Sequence, residues 1–103
     1  MIKLIATDID GTLLKDGTLM IDPEYMTVIE KLTSQGIIFV ACSGRQFISE
    51  RKLFAPVCDK LLYITDGGTV VRTPHKILKV HTLPEDVWHG MCETVRNNLP
   101  DCD

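Results

Sequence analysis

The stretch Ile5-Ala6-Thr7-Asp8-Ile9-Asp10-Gly11-Thr12-Leu13-Leu14 decides how the rest of the chain is read. An apolar run from Ile2 to Ala6 stops at two carboxylates one residue apart, and a Gly-Thr turn follows. Residues i and i+2 of a strand share a side. A run that leaves a sheet at Asp8 can therefore aim Asp8 and Asp10 at one pocket. Two carboxylates at one strand end repel each other unless a cation lies between them. Hard cations such as Mg²⁺ take oxygen ligands. The pair is thus expected to be a metal-assisted site at the carboxyl end of a parallel strand, where open α/β sheets bind ligands. The plainer alternative is a solvated turn after a strand.

Outward from this stretch, residues 2–7 predict a short buried strand. Residues 11–21 hold the Gly11-Thr12 and Asp16-Gly17 turns around Leu13-Leu14 and Leu19–Ile21, which predicts a small hairpin or flap. Asp22 is a good N-cap and Pro23 suits the first helical position. Tyr25, Val28, Ile29 and Leu32 recur at helical spacing and Gly36 suits the residue just past a helix end, so a helix is expected over 23–35. Residues 37–42 predict a second buried strand, ending in Ser43-Gly44-Arg45. A helix is expected over 46–54, stopped by Pro56, and then a third strand over 61–65, ending in Asp66-Gly67-Gly68.

This β-α-β-α-β order, with nearly continuous apolar strands, predicts an α/β fold: a partial Rossmann-like parallel sheet of three strands with helices. Right-handed crossovers would set all three strand ends on one rim. Asp8 and Asp10, Ser43-Gly44-Arg45 and Asp66-Gly67 would meet there. Taken singly, Ser43-Gly44-Arg45 also reads as a strand-to-helix turn with Ser43 as N-cap. Asp66-Gly67-Gly68 also reads as a tight turn in which glycine supplies positive φ. After residue 68 the texture changes. A β-hairpin over 69–72 and 76–81, turning at Thr73-Pro74-His75, and a helix opened by Pro84 with Val87, Met91 and Val95 on one stripe predict a separate module. The expected division is 1–68 and 69–103.

Composition bounds the function. The 103 residues, 45% hydrophobic and of net charge −3, make one small globular domain. There is no basic stripe for nucleic acid and no apolar run long enough for a membrane. The first residues do not form a signal peptide. Cys42, Cys58, Cys92 and Cys102 show no CxxC spacing, so four reduced thiols and a cytoplasmic setting are expected. A zinc site from His89, Cys92 and Cys102 fits no common spacing. Cys42, in an apolar strand, reads as core rather than nucleophile. Trp88 and Met91 read as core of the last helix.

Asp8-Ile9-Asp10-Gly11-Thr12-Leu13-Leu14 resembles the first motif, DxDGT(L/V), of the haloacid dehalogenase superfamily. Ser43-Gly44-Arg45 after a buried strand resembles the second, and the whole pattern is similar to the Cof-type phosphatases of that superfamily. The likeness runs through the chain and matches the N-terminal portion of such a protein, with an α/β cap module beginning at 69 and cut after its first hairpin and helix.

The resemblance implies a Mg²⁺-dependent phosphohydrolase acting on small phosphorylated metabolites, sugar phosphates among them. Asp8 would be the nucleophile, forming an aspartyl-phosphate, and would bind the metal through its other oxygen. Asp10 would be general acid and then base, with its backbone carbonyl toward the metal. Ser43 and backbone N–H groups near Asp10, Gly11 and Gly44 would hold the phosphoryl group. Arg45, Asp66 and Gly67 would line the substrate mouth. The chemistry is sound: a carboxylate can serve as covalent nucleophile, and phosphoryl transfer depends mostly on positioning and charge neutralisation.

Two departures are visible. The family has Asn where this chain has Asp66. The family's later lysine and acidic pair have no counterpart, since Lys52, Lys60, Lys76 and Lys79 stand in other contexts. The alternatives are therefore a truncated fragment without turnover, or a phosphate- or metal-binding interaction module. In either case the strand carrying Asp8 would lack a neighbour, which predicts self-association or pairing with a missing C-terminal portion.

Overall fold

The computed structural model describes residues 1–99. In chain order these form β1 (Leu4–Asp8), α1 (Pro23–Ser34), β2 (Ile38–Cys42), α2 (Phe47–Leu53), a 3₁₀ segment (Ala55–Lys60), β3 (Leu62–Thr65), a one-turn element (Asp66–Gly68), β4 (Val70–Arg72), β5 (Ile77–Val80) and α3 (Glu85–Asn98). The five strands make one mixed sheet in the order β1-β2-β3-β4-β5. The first three are parallel, and β4 and β5 continue antiparallel.

The local chemistry explains the first helix. The Asp22 carboxylate accepts from the Glu24 N–H at 2.9 Å, and Pro23 occupies the first turn, where no donor is lost. The end closes in a Schellman arrangement. Gly36, at φ 85°, donates to the Thr33 carbonyl, and Ile37 donates to the Leu32 carbonyl. The expected helix over 23–35 is therefore one residue too long. Helix α2 is shorter than the expected 46–54, because the chain tightens into the 3₁₀ segment at Ala55-Pro56.

One face of the sheet is covered. Ala41 and Tyr63 are in register, and with Phe39 they meet Met26 and Ile29 of α1 and Phe54 and Val57 beyond α2. The Phe47 ring meets Tyr63 edge-on at 5.1 Å, and the Arg72 guanidinium lies over the same ring at 3.7 Å. The opposite face carries Leu4, Ala6, Ile38, Val40, Leu62 and Ile64 in register. Leu4 and Ile38 there are 52% and 46% exposed.

Three expectations are corrected. Strand β1 is not buried: it is the sheet's edge, and Leu4, Ala6 and Asp8 are all exposed. Residues 11–21 do not make a hairpin. Thr12, Leu13 and Leu14 all donate to the Ile9 carbonyl, which curls the chain into a compact loop that buries Leu14 and Ile21. Trp88 and Met91 are not core, since every described residue of α3 is exposed. The hairpin does leave the parallel pattern, but it stays in the same sheet through the β3–β4 pairing. No helix among the described residues is long and apolar enough to cross a membrane.

Candidate active site at the strand ends

The parallel strands β1, β2 and β3 end at Asp8, Cys42 and Thr65, and the loops that follow are bonded to one another. The Ser43 N–H donates to the Ile64 carbonyl at 3.0 Å. The Asp66 N–H donates to the Arg45 carbonyl at 2.9 Å, and the Gly67 N–H to the Ser43 carbonyl at 3.1 Å. Asp66 and Gly67 are thus fixed to the back of the Ser43-Gly44-Arg45 loop. The turn needs three successive positive φ angles: 53° at Asp66, 70° at Gly67 and 98° at Gly68. Asn and Asp are the non-glycine residues that best tolerate this region. Asp66 therefore keeps the backbone shape that an Asn would give. Its carboxylate accepts from the Thr65 hydroxyl at 2.8 Å.

Ser43 is not the helix cap. That position belongs to Gln46, and the Ser43 hydroxyl is turned to the rim instead. Its Oγ accepts from the Arg45 N–H at 3.0 Å and donates to Asp10 Oδ2 at 3.4 Å. Arg45 closes on the same carboxylate. Its Nε donates to Asp10 Oδ2 at 3.0 Å and a terminal nitrogen donates to Oδ1 at 2.8 Å. The other terminal nitrogen donates to Ser49 Oγ at 3.1 Å. A forked guanidinium on a carboxylate is among the stronger charge-assisted arrangements. It holds the Asp10 carboxyl below the usual carboxylate range, with the Arg45 hydrogen bonds the main cause.

Asp8 contrasts with this. It is exposed at the end of β1, in register with Cys42, and among the described residues none hydrogen-bonds its carboxylate. A bare carboxylate at a strand end can attack an electrophile, and the Arg45 fork fixes the second carboxylate in place beside it. Gly11, at φ 82°, and Gly44 are open to solvent on either side of this pair. A cleft of about 610 Å³ is lined by Thr12 and Leu13 and by Tyr25 and Val28 of α1.

Along its length, from residue 5 to residue 101, the chain matches the model of the haloacid dehalogenase-like hydrolases. The chain belongs to that family. Among the hydrolases it resembles is a 5-amino-6-(5-phospho-D-ribitylamino)uracil phosphatase of Escherichia coli. The two are 33% identical over 92 residues, which cover 89% of this chain and 34% of the relative. A protein of known structure from Eubacterium rectale is 72% identical with a TM-score of 0.92, covering 99% of this chain and 38% of that one. A haloacid dehalogenase-like hydrolase from Bacillus subtilis is 25% identical with a TM-score of 0.80, covering 93% and 34%. The chain thus spans little more than a third of the length of these relatives.

The structure brings together most of the residues singled out from sequence and adds others. Ser49 and Glu50 of α2 were not expected at the site. Ser49 holds the outer edge of the Arg45 fork. Glu50 is fully buried, and neither of its oxygens has a hydrogen-bond partner. Burial, with Asp66 nearby, pushes its carboxyl up to about 8. A signal for it existed. Phe47, Glu50, Leu53 and Phe54 fall at helical spacing on the inward stripe of α2, where a carboxylate is out of place. Burial and the Glu50 and Asp8 charges push the Cys42 thiol up, so it is not poised as a nucleophile. Of the expected zinc grouping, Cys92 is exposed and Cys102 lies outside the described residues.

Proposed function

We propose that this chain forms the nucleophile-bearing part of a Cof-type phosphohydrolase that releases inorganic phosphate from small phosphorylated metabolites. The observation that carries this reading is the convergence of three strand ends on two unlike carboxylates. Asp8 is bare, while Asp10 is held by Ser43 and Arg45. The phosphatase among the relatives, named for a phosphoribityl compound, supports a phosphorylated polyol or sugar as the substrate type.

In this reading an Asp8 carboxylate oxygen attacks phosphorus, and the bond from phosphorus to the leaving oxygen breaks. Asp10 gives that oxygen its proton, leaving an alcohol and an aspartyl-phosphate. Asp10 then takes a proton from water as the water attacks phosphorus, which returns Asp8 and frees phosphate. The Ser43 hydroxyl and the N–H groups around Gly11 and Gly44 hold the phosphoryl oxygens. Arg45 and the Asp66-Gly67 turn face the incoming substrate.

The donor chemistry at the rim fits Mg²⁺, since Asp8 and the Asp10 backbone carbonyl offer hard oxygen atoms. Bound there, the ion would neutralise charge on the phosphoryl group. Among the described residues no group of three or more acidic, His or Cys side chains forms a cage, so the ion would keep several waters or take ligands from elsewhere. Hydrolysis of an aryl phosphate and a panel of sugar phosphates with Mg²⁺ tests the reading. Asp8→Asn is expected to abolish turnover, and unchanged turnover in that variant would refute it.

A second reading concerns the 103 residues taken alone. No lysine lies at the rim among the described side-chain hydrogen bonds, and β1 presents a free edge beside the exposed Leu4 and Ile38. We propose that turnover needs further strands and helices on that edge, supplied by a C-terminal portion or approximated by self-association. In the same reading residues 1–68 belong to the catalytic core, 69–103 lead into a cap, and the unpaired Cys42, Cys58 and Cys92 suit a cytoplasmic setting. EDTA-sensitive phosphatase turnover by the monomeric 103-residue chain would contradict it.

A further inference from the structure

Among the described residues two side chains tie the Asp10 carboxylate to the rim, and they do so unequally. Ser43 Oγ reaches it at 3.4 Å, while Arg45 forks on it at 3.0 and 2.8 Å. Arg45 therefore sets where that carboxylate stands. Fixing a long arginine costs rotamer freedom, and an exposed ion pair contributes little unless its geometry is held. The side chains of Arg45 and Asp10 are 34% and 52% exposed, so this fork depends on how the arginine is held. Two bonds anchor its base. The Arg45 N–H donates to Ser43 Oγ at 3.0 Å, and the Arg45 carbonyl accepts from the Asp66 N–H at 2.9 Å. The tip has one further hold: the terminal nitrogen that does not meet Asp10 donates to Ser49 Oγ at 3.1 Å. A guanidinium is planar, so this bond also fixes the plane in which the other two nitrogens meet the carboxylate.

The Ser49 hydroxyl is free for this task. It lies in the first turn of α2, where a side chain often reaches back to satisfy the N-cap. Here the start of α2 at Gln46 has no side-chain cap, and the hydroxyl is turned to Arg45 instead. Helix α2 is itself seated on the core through Phe47 and Leu53. We propose that Ser49 is a positioning residue for this site, carrying the rigidity of α2 through the Arg45 guanidinium to the Asp10 carboxylate. The inference rests on the phosphatase reading for its meaning. In that reading an Asp10 oxygen must stand within hydrogen-bond reach of the leaving oxygen, and a reacting group misplaced by about 1 Å lowers the rate by up to about a hundredfold. Ser49 thus acts on the rate of the chemical step and not on substrate affinity. Its hold on Arg45 can be measured without turnover.

The test compares the wild type with Ser49→Ala, which favours the helix, and Ser49→Thr, which keeps the hydroxyl. Exchange of the two terminal Arg45 nitrogens about the Nε–Cζ bond is followed by ¹⁵N NMR at one pH without substrate. The proposal expects exchange about tenfold faster or more in Ser49→Ala, the size of one lost hydrogen bond to a charged group. Ser49→Thr is expected to restore the wild-type rate. Equal exchange in all three proteins overturns the proposal. Aryl phosphate hydrolysis with Mg²⁺ is measured on the same proteins. A kcat about tenfold lower or more in Ser49→Ala at unchanged KM, restored in Ser49→Thr, supports it. Wild-type kinetics in Ser49→Ala, or a raised KM at unchanged kcat, overturns it. Faster exchange in Ser49→Ala without turnover in any protein supports the hold on Arg45 and counts against the phosphatase reading for this chain. Turnover in all three with equal exchange does the reverse.

Discussion

Helices α1 and α3 look alike as sequence and differ as structure. Both begin with a proline at or beside the first turn and both carry an apolar stripe. Helix α1 buries Met26 and Ile29 against the sheet, while α3 buries nothing: Val87, Trp88, Met91 and Val95 are all exposed. Amphipathicity shows that a helix wants a partner, but not whether that partner lies within the same hundred residues. The same holds for the two faces of the sheet. The face under α1 and α2 is closed, while on the other face Leu4 and Ile38 stand exposed toward the β1 edge and Val40 is buried.

Substitutions can break or sharpen this contrast. The largest effect is expected from a charge trapped on the closed side. The Glu50 carboxyl is raised in the folded state from 4.5 to about 8. The folded protein therefore binds that proton more tightly than the unfolded chain. This contribution is fully present below pH 4.5 and lost as pH rises through 8. Glu50→Gln removes the dependence. Denaturant midpoints should be nearly equal for the two proteins at pH 4 and favour the variant above pH 9, by an amount on the order of several kcal/mol. Equal pH dependence would show that Glu50 is not held neutral.

Next comes the core contact of α1. Ile29→Ala should cost roughly 2–4 kcal/mol in urea titration, from lost burial and the cavity left behind. Loss of the α1 cap is smaller: Asp22→Ala removes the acceptor of the Glu24 N–H and should cost about 1 kcal/mol. The smallest effect belongs to α3. Met91→Ala should change stability by less than about 0.5 kcal/mol, as for an exposed side chain. A cost near that of Ile29→Ala would mean that α3 has a buried partner in solution, and sedimentation velocity would show whether the partner is a second copy.

Much of the fold was legible because its signals are local. The Asp22-Pro23 start and Gly36 end of α1 are chemical punctuation, and the apolar runs ending at Asp8, Cys42 and Thr65 mark three parallel strands. The exposure of β1 was not legible in the run itself, because an apolar strand reads the same at an edge as in the middle of a sheet. The turns over 11–21 suit a hairpin or flap, and the Ile9 carbonyl, by gathering three donors into a compact loop, excludes the hairpin. At the site, Asp8, Asp10, Ser43 and Arg45 stood out by motif. That Arg45 forks on Asp10 rather than only lining the mouth depends on how two distant loops meet, and no spacing encodes it. Glu50 was legible in principle, as a carboxylate on an inward stripe.

The central claim is that Asp8, left bare while Asp10 is clamped, is the atom-transferring carboxylate of the rim. Trapping tests it directly. The protein is incubated with an aryl phosphate and Mg²⁺, reduced with borohydride, digested and sequenced by mass spectrometry. Reduction of an aspartyl-phosphate converts that aspartate to homoserine. Homoserine at position 8, absent after Asp8→Asn, is the predicted result. Phosphate release with an unmodified Asp8, or a stable phosphoryl group on Ser43 or Asp10 instead, would contradict it.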